Sequence, residues 1–283
     1  MTTVTVRRQG AAAPRHGRLA DAAVNRSFGG FAVLVYAFLY LPIAVVVLYA
    51  FNDSRQVAVW EGFGFRWWAE AWGDVAIRDA LVLSIWTAAA NAVLATALGT
   101  AASLGLRNVG PRARLAFDAL LYTALVVPEI VIAIASLLFF STVAPNVLGA
   151  PAIVLTHAVF NTSVVTLVCR ARLAGSDRVA EEAAADLGAT RWEAFSRVTL
   201  PLLSPAIVAG FLLAFTFSFD DVVLSTFVST AGSSTLPLAI FSELRFGLSP
   251  KANVIATSML GVTLSAVIVA QLLLRRSRSE EAG

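Results

Sequence analysis

Six long apolar runs alternate with short polar connections along the chain. They cover residues 28–51, 80–106, 115–143, 152–169, 206–227 and 254–274. Each is near the roughly 20 residues that a helix needs to cross a bilayer core of about 30 Å. The first is too long for the 7–15-residue apolar stretch of a cleavable signal, so it reads as a retained anchor. In the second, Ala95, Gly99 and Ser103 recur every four residues, a spacing that permits close helix approach. Pro128 and Glu129 interrupt the third run, and Asp220 and Asp221 lie inside the fifth. The stretch 225–249 is ambiguous between a re-entrant and a surface segment. The expectation is an all-α integral membrane protein with six transmembrane helices. Its parts are an N-terminal tail (1–27), a first span with its outer loop (28–79), a core (80–274) containing a long loop (174–204), and a C-terminal tail (275–283).

Composition excludes most soluble classes. Of 283 residues, 58% are hydrophobic and 14% charged, whereas soluble domains sit near 45–50% apolar and about 25% charged. Cys169 is the single cysteine, so no intrachain disulfide or cysteine-based metal cluster can form. It reads as a small buried side chain. His16 and His157 have no ligand-spaced partner, and no metal site is expected. The one lysine, Lys251, follows Ser249 and Pro250. The phosphate-binding pattern G-x4-G-K-[ST] is therefore absent, so ATP energy must come from another subunit. No cofactor and no catalytic residue is expected in this chain.

The net charge of +3 is topological. Sixteen of the 21 Lys and Arg residues fall in the two tails and in the connections after the second and fourth runs. The positive-inside rule then places both termini in the cytoplasm, and the basic balance gives no reason to expect nucleic acid as a partner. The first outer loop carries Trp60, Trp67, Trp68 and Trp72 among polar residues. Tryptophan favours the membrane–water interface, so a short helix lying on the outer surface is expected, with a docking ledge as the alternative.

The loop 174–204 is patterned as two helices. Gly175 interrupts the fourth span, and Ser176 or Asp177 can cap a helix running to Leu187. Gly188 sits where a C-cap glycine belongs. Thr190 and Glu193 have capping-box spacing, starting a second helix at Arg191, which Leu200-Pro201 is expected to end. Val179, Ala183 and Leu187 share one small apolar face. An acidic pair of helices (Glu181, Glu182, Asp186, Glu193) would be repelled by an anionic inner leaflet, which favours a protein partner.

At these residues the chain resembles the permease subunits of binding-protein-dependent ABC importers. Their loop motif reads E-A-A-x3-G-x9-I-x-L-P. Here it is Glu182, Ala183, Ala184, Gly188, Val198, Leu200 and Pro201, with Val198 as the one departure. The resemblance implies a type I ABC importer permease fold in a bacterial plasma (inner) membrane. It also implies that residues 181–188 (Glu181 to Gly188, including Asp186 and Leu187) form the joint to an ATP-hydrolysing partner. Phe51-Asn52-Asp53-Ser54, Val127-Pro128-Glu129-Ile130 and the stretch 215–223 resemble the spermidine/putrescine branch. That branch implies an ABC ATPase dimer using Mg-ATP, a second permease that is a different chain, a periplasmic or extracellular substrate-binding protein, and a polyamine cargo.

Carboxylates inside a membrane are costly and mark functional paths. At 1.5 Å per residue, Glu129 and Asp220 each lie roughly 21 Å from the start of their runs, so Glu129, Asp220 and Asp221 could ring one cavity. Acids without bases favour a cation. Each acid could instead cap a broken helix. Alternatives for the whole chain are the same machinery with another solute, such as ferric iron or thiamine, an ion-coupled secondary transporter, and an intramembrane enzyme. The enzyme would need partners for His157 or Cys169 that the sequence does not display.

Overall fold

A computed structural model describes residues 16–56, 59–174, 179–246 and 250–280. Gly175, the possible caps Ser176 and Asp177, the arginines Arg7, Arg8 and Arg15, and residues 57–58, 247–249 and 281–283 lie outside the described residues. The chain divides into two compact units, residues 1–48 and 49–283. The first contributes α1 (His16–Tyr49), whose apolar part begins at Gly29.

The second unit has helices and no strand among its described residues: α2 (Arg66–Gly73), α3 (Val75–Gly105), α4 (Pro111–Val126), α5 (Glu129–Val143), α6 (Ala150–Ala174), α7 (Val179–Asp186), α8 (Arg191–Ala194), α9 (Leu200–Phe219), α10 (Val223–Val228), α11 (Leu236–Phe246) and α12 (Lys251–Glu280). Five described helices are long and apolar enough to cross a membrane, or six if α4 and α5 count as one broken span.

Local chemistry sets most boundaries. Asp74 caps α3 by accepting from the Ala76 amide at 3.0 Å. Gly110 and Pro111 open α4, where a missing proline N–H costs nothing. The short helix expected in the first outer loop is α2, but its tryptophans do not all face an interface. Trp67 is buried and its Nε1 donates to the Ser54 carbonyl at 2.8 Å.

Two expectations are corrected, and the interruption expected in the third run is a sharp bend. Pro128 forces Val127 into extended backbone, and α4 and α5 meet at 102°. The fifth run is not one helix over 206–227: α9 stops at Phe219, and α10 restarts at Val223. Leu200-Pro201 does not end the second loop helix. A π-type turn, Phe195–Thr199, joins α8 to α9 and produces one rod, Arg191–Phe219. Proline is tolerated there because it sits in the first turn of α9. The ambiguous stretch after residue 225 holds the rest of α10, then α11.

α3, α6 and α9 form the centre. Ala88, Ala92, Ala95, Gly99 and Ser103 of α3 are buried, as the four-residue spacing requires. A Cβ at Gly99 would lie 2.7 Å from the Val165 Cβ and 3.0 Å from the Thr162 carbonyl oxygen. In an apolar solvent there is little hydrophobic drive between helices, so this close approach supplies the packing. Two amides add polar pins: Asn91 Nδ2 and Asn161 Nδ2 both donate to the Ala214 carbonyl, at 3.0 and 3.4 Å.

Candidate functional site

Both breaks in the long helices open onto one cavity of about 680 Å³. Its wall includes the α4–α5 junction, the α9–α10 junction and one face of α6. Glu129, Asp220, Asp221 and His157 all line it, and among the described residues no Lys or Arg does. Phe160 and Phe217, in edge-to-face contact with centroids 5.9 Å apart, line it as well.

The three acids are held differently. Glu129 lies in the first turn of α5, where the helix N-terminus favours negative charge. It is exposed, and it lines the cavity together with Asp221 and His157. Asp220 ends α9, is exposed, and its carboxylate makes no hydrogen bond among the described residues. Asp221 is buried and caps α10: its Oδ1 accepts from the Leu224 amide at 3.2 Å and its Oδ2 from the Ser225 amide at 2.8 Å. Capping a broken helix was the alternative to a cargo role, and Asp221 does cap one.

His157 was missed. It is 1% exposed on α6, with Nδ1 2.6 Å from Ser218 Oγ and Nε2 3.0 Å from Asp221 Oδ2. Ser225 Oγ stands 3.4 Å from the same Nε2. A neutral ring satisfies every contact: Ser218 donates to Nδ1, and Nε2–H donates to Asp221. Ser218, Asp221 and Ser225 follow one another at steps of three and four. His157 carries the same signal as the acids, an ionisable group in an apolar span. Its partners are 61 and 64 positions away, beyond the reach of any local pattern. Cys169 is buried, with Thr100 Oγ1 at 3.8 Å.

The second candidate region is the 174–204 loop. Its first helix ends in a Schellman motif, with the Ala189 amide on the Ala184 carbonyl and the Gly188 amide on Ala185. Gly188 has φ +87°, the left-handed conformation that favours glycine. The capping box is complete: Thr190 accepts from the Glu193 amide, and Glu193 Oε2 accepts from the Thr190 amide at 2.9 Å. Glu182, Ala183, Asp186, Leu200 and Pro201 are exposed, while Ala184 and Val198 are half-buried. Val179 (65%), Leu187 (90%) and Trp192 (71%) expose apolar surface. Trp192 was not among the expected residues. Glu181 departs from its neighbours: it turns inward onto Arg107.

This arrangement, two broken helices around an acidic cavity and a protruding helical loop, can be compared with known proteins. A family model described as "Binding-protein-dependent transport system inner membrane component" matches residues 95–279. The chain belongs to this family of permeases. The permease is 40% identical over 255 residues to the putrescine transport system permease protein PotI of Escherichia coli (strain K12), covering 88% of this chain and 90% of that one. It is 36% identical over 247 residues to the spermidine/putrescine transport system permease protein PotC of Haemophilus influenzae (strain ATCC 51907 / DSM 11121 / KW20 / Rd), covering 87% and 96%. Among solved structures, a bacterial alginate ABC transporter in complex with an alginate pentasaccharide-bound periplasmic protein matches with a TM-score of 0.71. It is 17% identical, covering 91% of this chain and 95% of that one. The permease therefore has the type I ABC importer permease fold and is a multi-pass protein of the bacterial inner membrane.

Proposed function

We propose that this permease forms the translocation path of an ATP-driven importer for polyamines, putrescine and spermidine. The observation that carries the cargo class is the cavity with three carboxylates, two phenyl rings, the His157 imidazole and, among the described residues, no Lys or Arg. A cation gains from the acids by simple electrostatics and from the ring faces by cation–π attraction. The names of PotI and PotC point the same way. Glu129 and Asp220 are the carboxylates offered to the cargo.

The loop 174–204 is the joint to a separate ATPase dimer. Glu182, Asp186, Leu187 and Trp192 are exposed there. Mg-ATP is bound and hydrolysed by that partner, and this chain holds no nucleotide site and no cofactor. A substrate-binding protein delivers cargo from outside, a second, different permease chain completes the path, and both termini are cytoplasmic.

The test is uptake of labelled putrescine and spermidine by the assembled transporter in proteoliposomes, with vanadate as the control. Vanadate-sensitive uptake is expected, and Asp220→Asn should cut it while the ATPase still co-purifies. No uptake of either polyamine by the wild-type complex would refute the cargo class, and undiminished uptake by Asp220→Asn would refute the path assignment.

A further inference from the structure

The end of α3 is tied to α7 through charge. Arg107, just past the last turn of α3, donates from Nη1 and Nη2 to the two carboxylate oxygens of Glu181, at 2.8 and 3.1 Å. Thr199 Oγ1 donates to Glu181 Oε1 at 2.8 Å. Ion pairs in open water contribute little. This one is sheltered: the Arg107 and Glu181 side chains are 18% and 31% exposed, and Thr199 is buried. A two-pronged arginine–carboxylate pair with a third donor also fixes direction, which a single-point contact does not.

The tie continues behind Arg107. Arg114 of α4 donates from Nε and Nη2 to the Leu106 carbonyl, at 3.3 and 2.8 Å. Arg170 of α6 pairs with Asp118 of α4. Side chains thus link α7 to the end of α3, that end to α4, and α4 to α6. α7 itself has no buried residue, so apolar packing does not hold it in place.

We propose that Glu181 and Arg107 form a strut through which movement of the 174–204 loop is passed to α3, with Glu181 a positioning residue and not a contact for the ATPase. This rests on the reading above in which that loop docks on the ATPase. Two lines leave the loop. The rod Arg191–Phe219 carries its motion directly into α9, because the helix is unbroken. The strut carries the same motion into α3. Both are needed because α3 and α9 share one packing partner. A Cβ added at Gly99 or Gly210 would lie 2.7 or 3.0 Å from an atom of the Val165 side chain, and such close-packed contacts do not shear freely. If α9 moved and α3 lagged, that seam would have to break. The π-type turn contributes by placing Thr199 against Glu181, and such turns often occur at working sites.

The test uses the assembled transporter in proteoliposomes, with its ATPase and its ligand-loaded binding protein. Three quantities are read for each variant: ATPase co-purified per permease, stimulation of ATP hydrolysis by the binding protein, and labelled putrescine uptake. Arg107→Gln and Glu181→Gln are each expected to keep the ATPase at wild-type stoichiometry while stimulation and uptake fall about tenfold, the size of a typical coupling free energy. The exchange Arg107→Glu with Glu181→Arg should restore most of both. Wild-type stimulation in the single variants would overturn the strut. So would loss of the ATPase in Glu181→Gln, which would make Glu181 a docking contact, or an exchange no better than the single variants. Failure of the polyamine reading shows separately, as a wild-type complex that takes up no polyamine, and the strut is then decided by the stimulation alone.

Discussion

Replacing Asp221 by alanine tests how the α9–α10 break is built. The substitution removes the cap of α10, which accepts from two amides, and the partner of His157 Nε2 at 3.0 Å. Loss of an N-cap costs about 1 kcal/mol. Breaking the interhelical bond to His157 adds only about 0.6 kcal/mol, the average found within membranes, where the unfolded reference also finds partners. Ser225 Oγ, already 3.4 Å from Nε2, limits the cost of the orphaned nitrogen. The sum is roughly 1.5–2 kcal/mol, which at 2–4 °C per kcal/mol lowers the melting temperature by about 3–8 °C. Asp220→Ala is the control, because the Asp220 carboxylate has no hydrogen bond among the described residues; its effect should stay within about 0.5 kcal/mol. The assay is built into the chain. Cys169 is the single cysteine and is buried, so a thiol-reactive fluorophore added during a thermal ramp reports unfolding of the purified permease. Asp221→Ser, which keeps a capping oxygen, should recover about half of the loss. Equal shifts for Asp220→Ala and Asp221→Ala, or none for Asp221→Ala, would refute the division of labour between the two acids.

Other outcomes follow from the same geometry. Gly99→Ala puts a methyl group 2.7 Å from Val165 Cβ and 3.0 Å from a backbone oxygen; it should destabilise by about 1–3 kcal/mol, and Val165→Ala in the same chain should recover part of that. The same thermal ramp measures it, and an unshifted midpoint would refute the close approach. Glu182→Ala removes an exposed acid from the loop and should lower ATPase co-purification and uptake together, in contrast to the Arg107 and Glu181 variants. Wild-type co-purification would exclude Glu182 from the joint.

Fold class, family and two of the loop's caps were legible in the sequence because each depends on neighbours within a few residues. Apolar run length is a one-dimensional property that the bilayer reads directly. The Thr190–Glu193 capping box and the glycine at Gly188 also close within one turn, and both appear where their spacing put them. So does the small-residue stripe of α3, because helical periodicity alone decides which residues share a face. The placement of the three acids at one cavity was partly legible. Their spacing along the runs gave matching positions, but not the 102° bend at Pro128 or the gap after Phe219 that bring them to it.

Tertiary structure decided which polar group serves which partner. Two adjacent aspartates look alike in sequence. Asp220 faces the cavity unbonded, whereas Asp221 is absorbed by α10 and His157. Two adjacent glutamates divide in the same way, Glu182 to the surface and Glu181 onto Arg107, 74 residues away. Glu181 and Glu182 point about 100° apart on α7, and Asp220 and Asp221 lie in the break between α9 and α10, so which of each pair meets a partner depends on where another helix lies. That position is set by close packing of α3, α6 and α9, a sum over contacts between residues far apart in the chain.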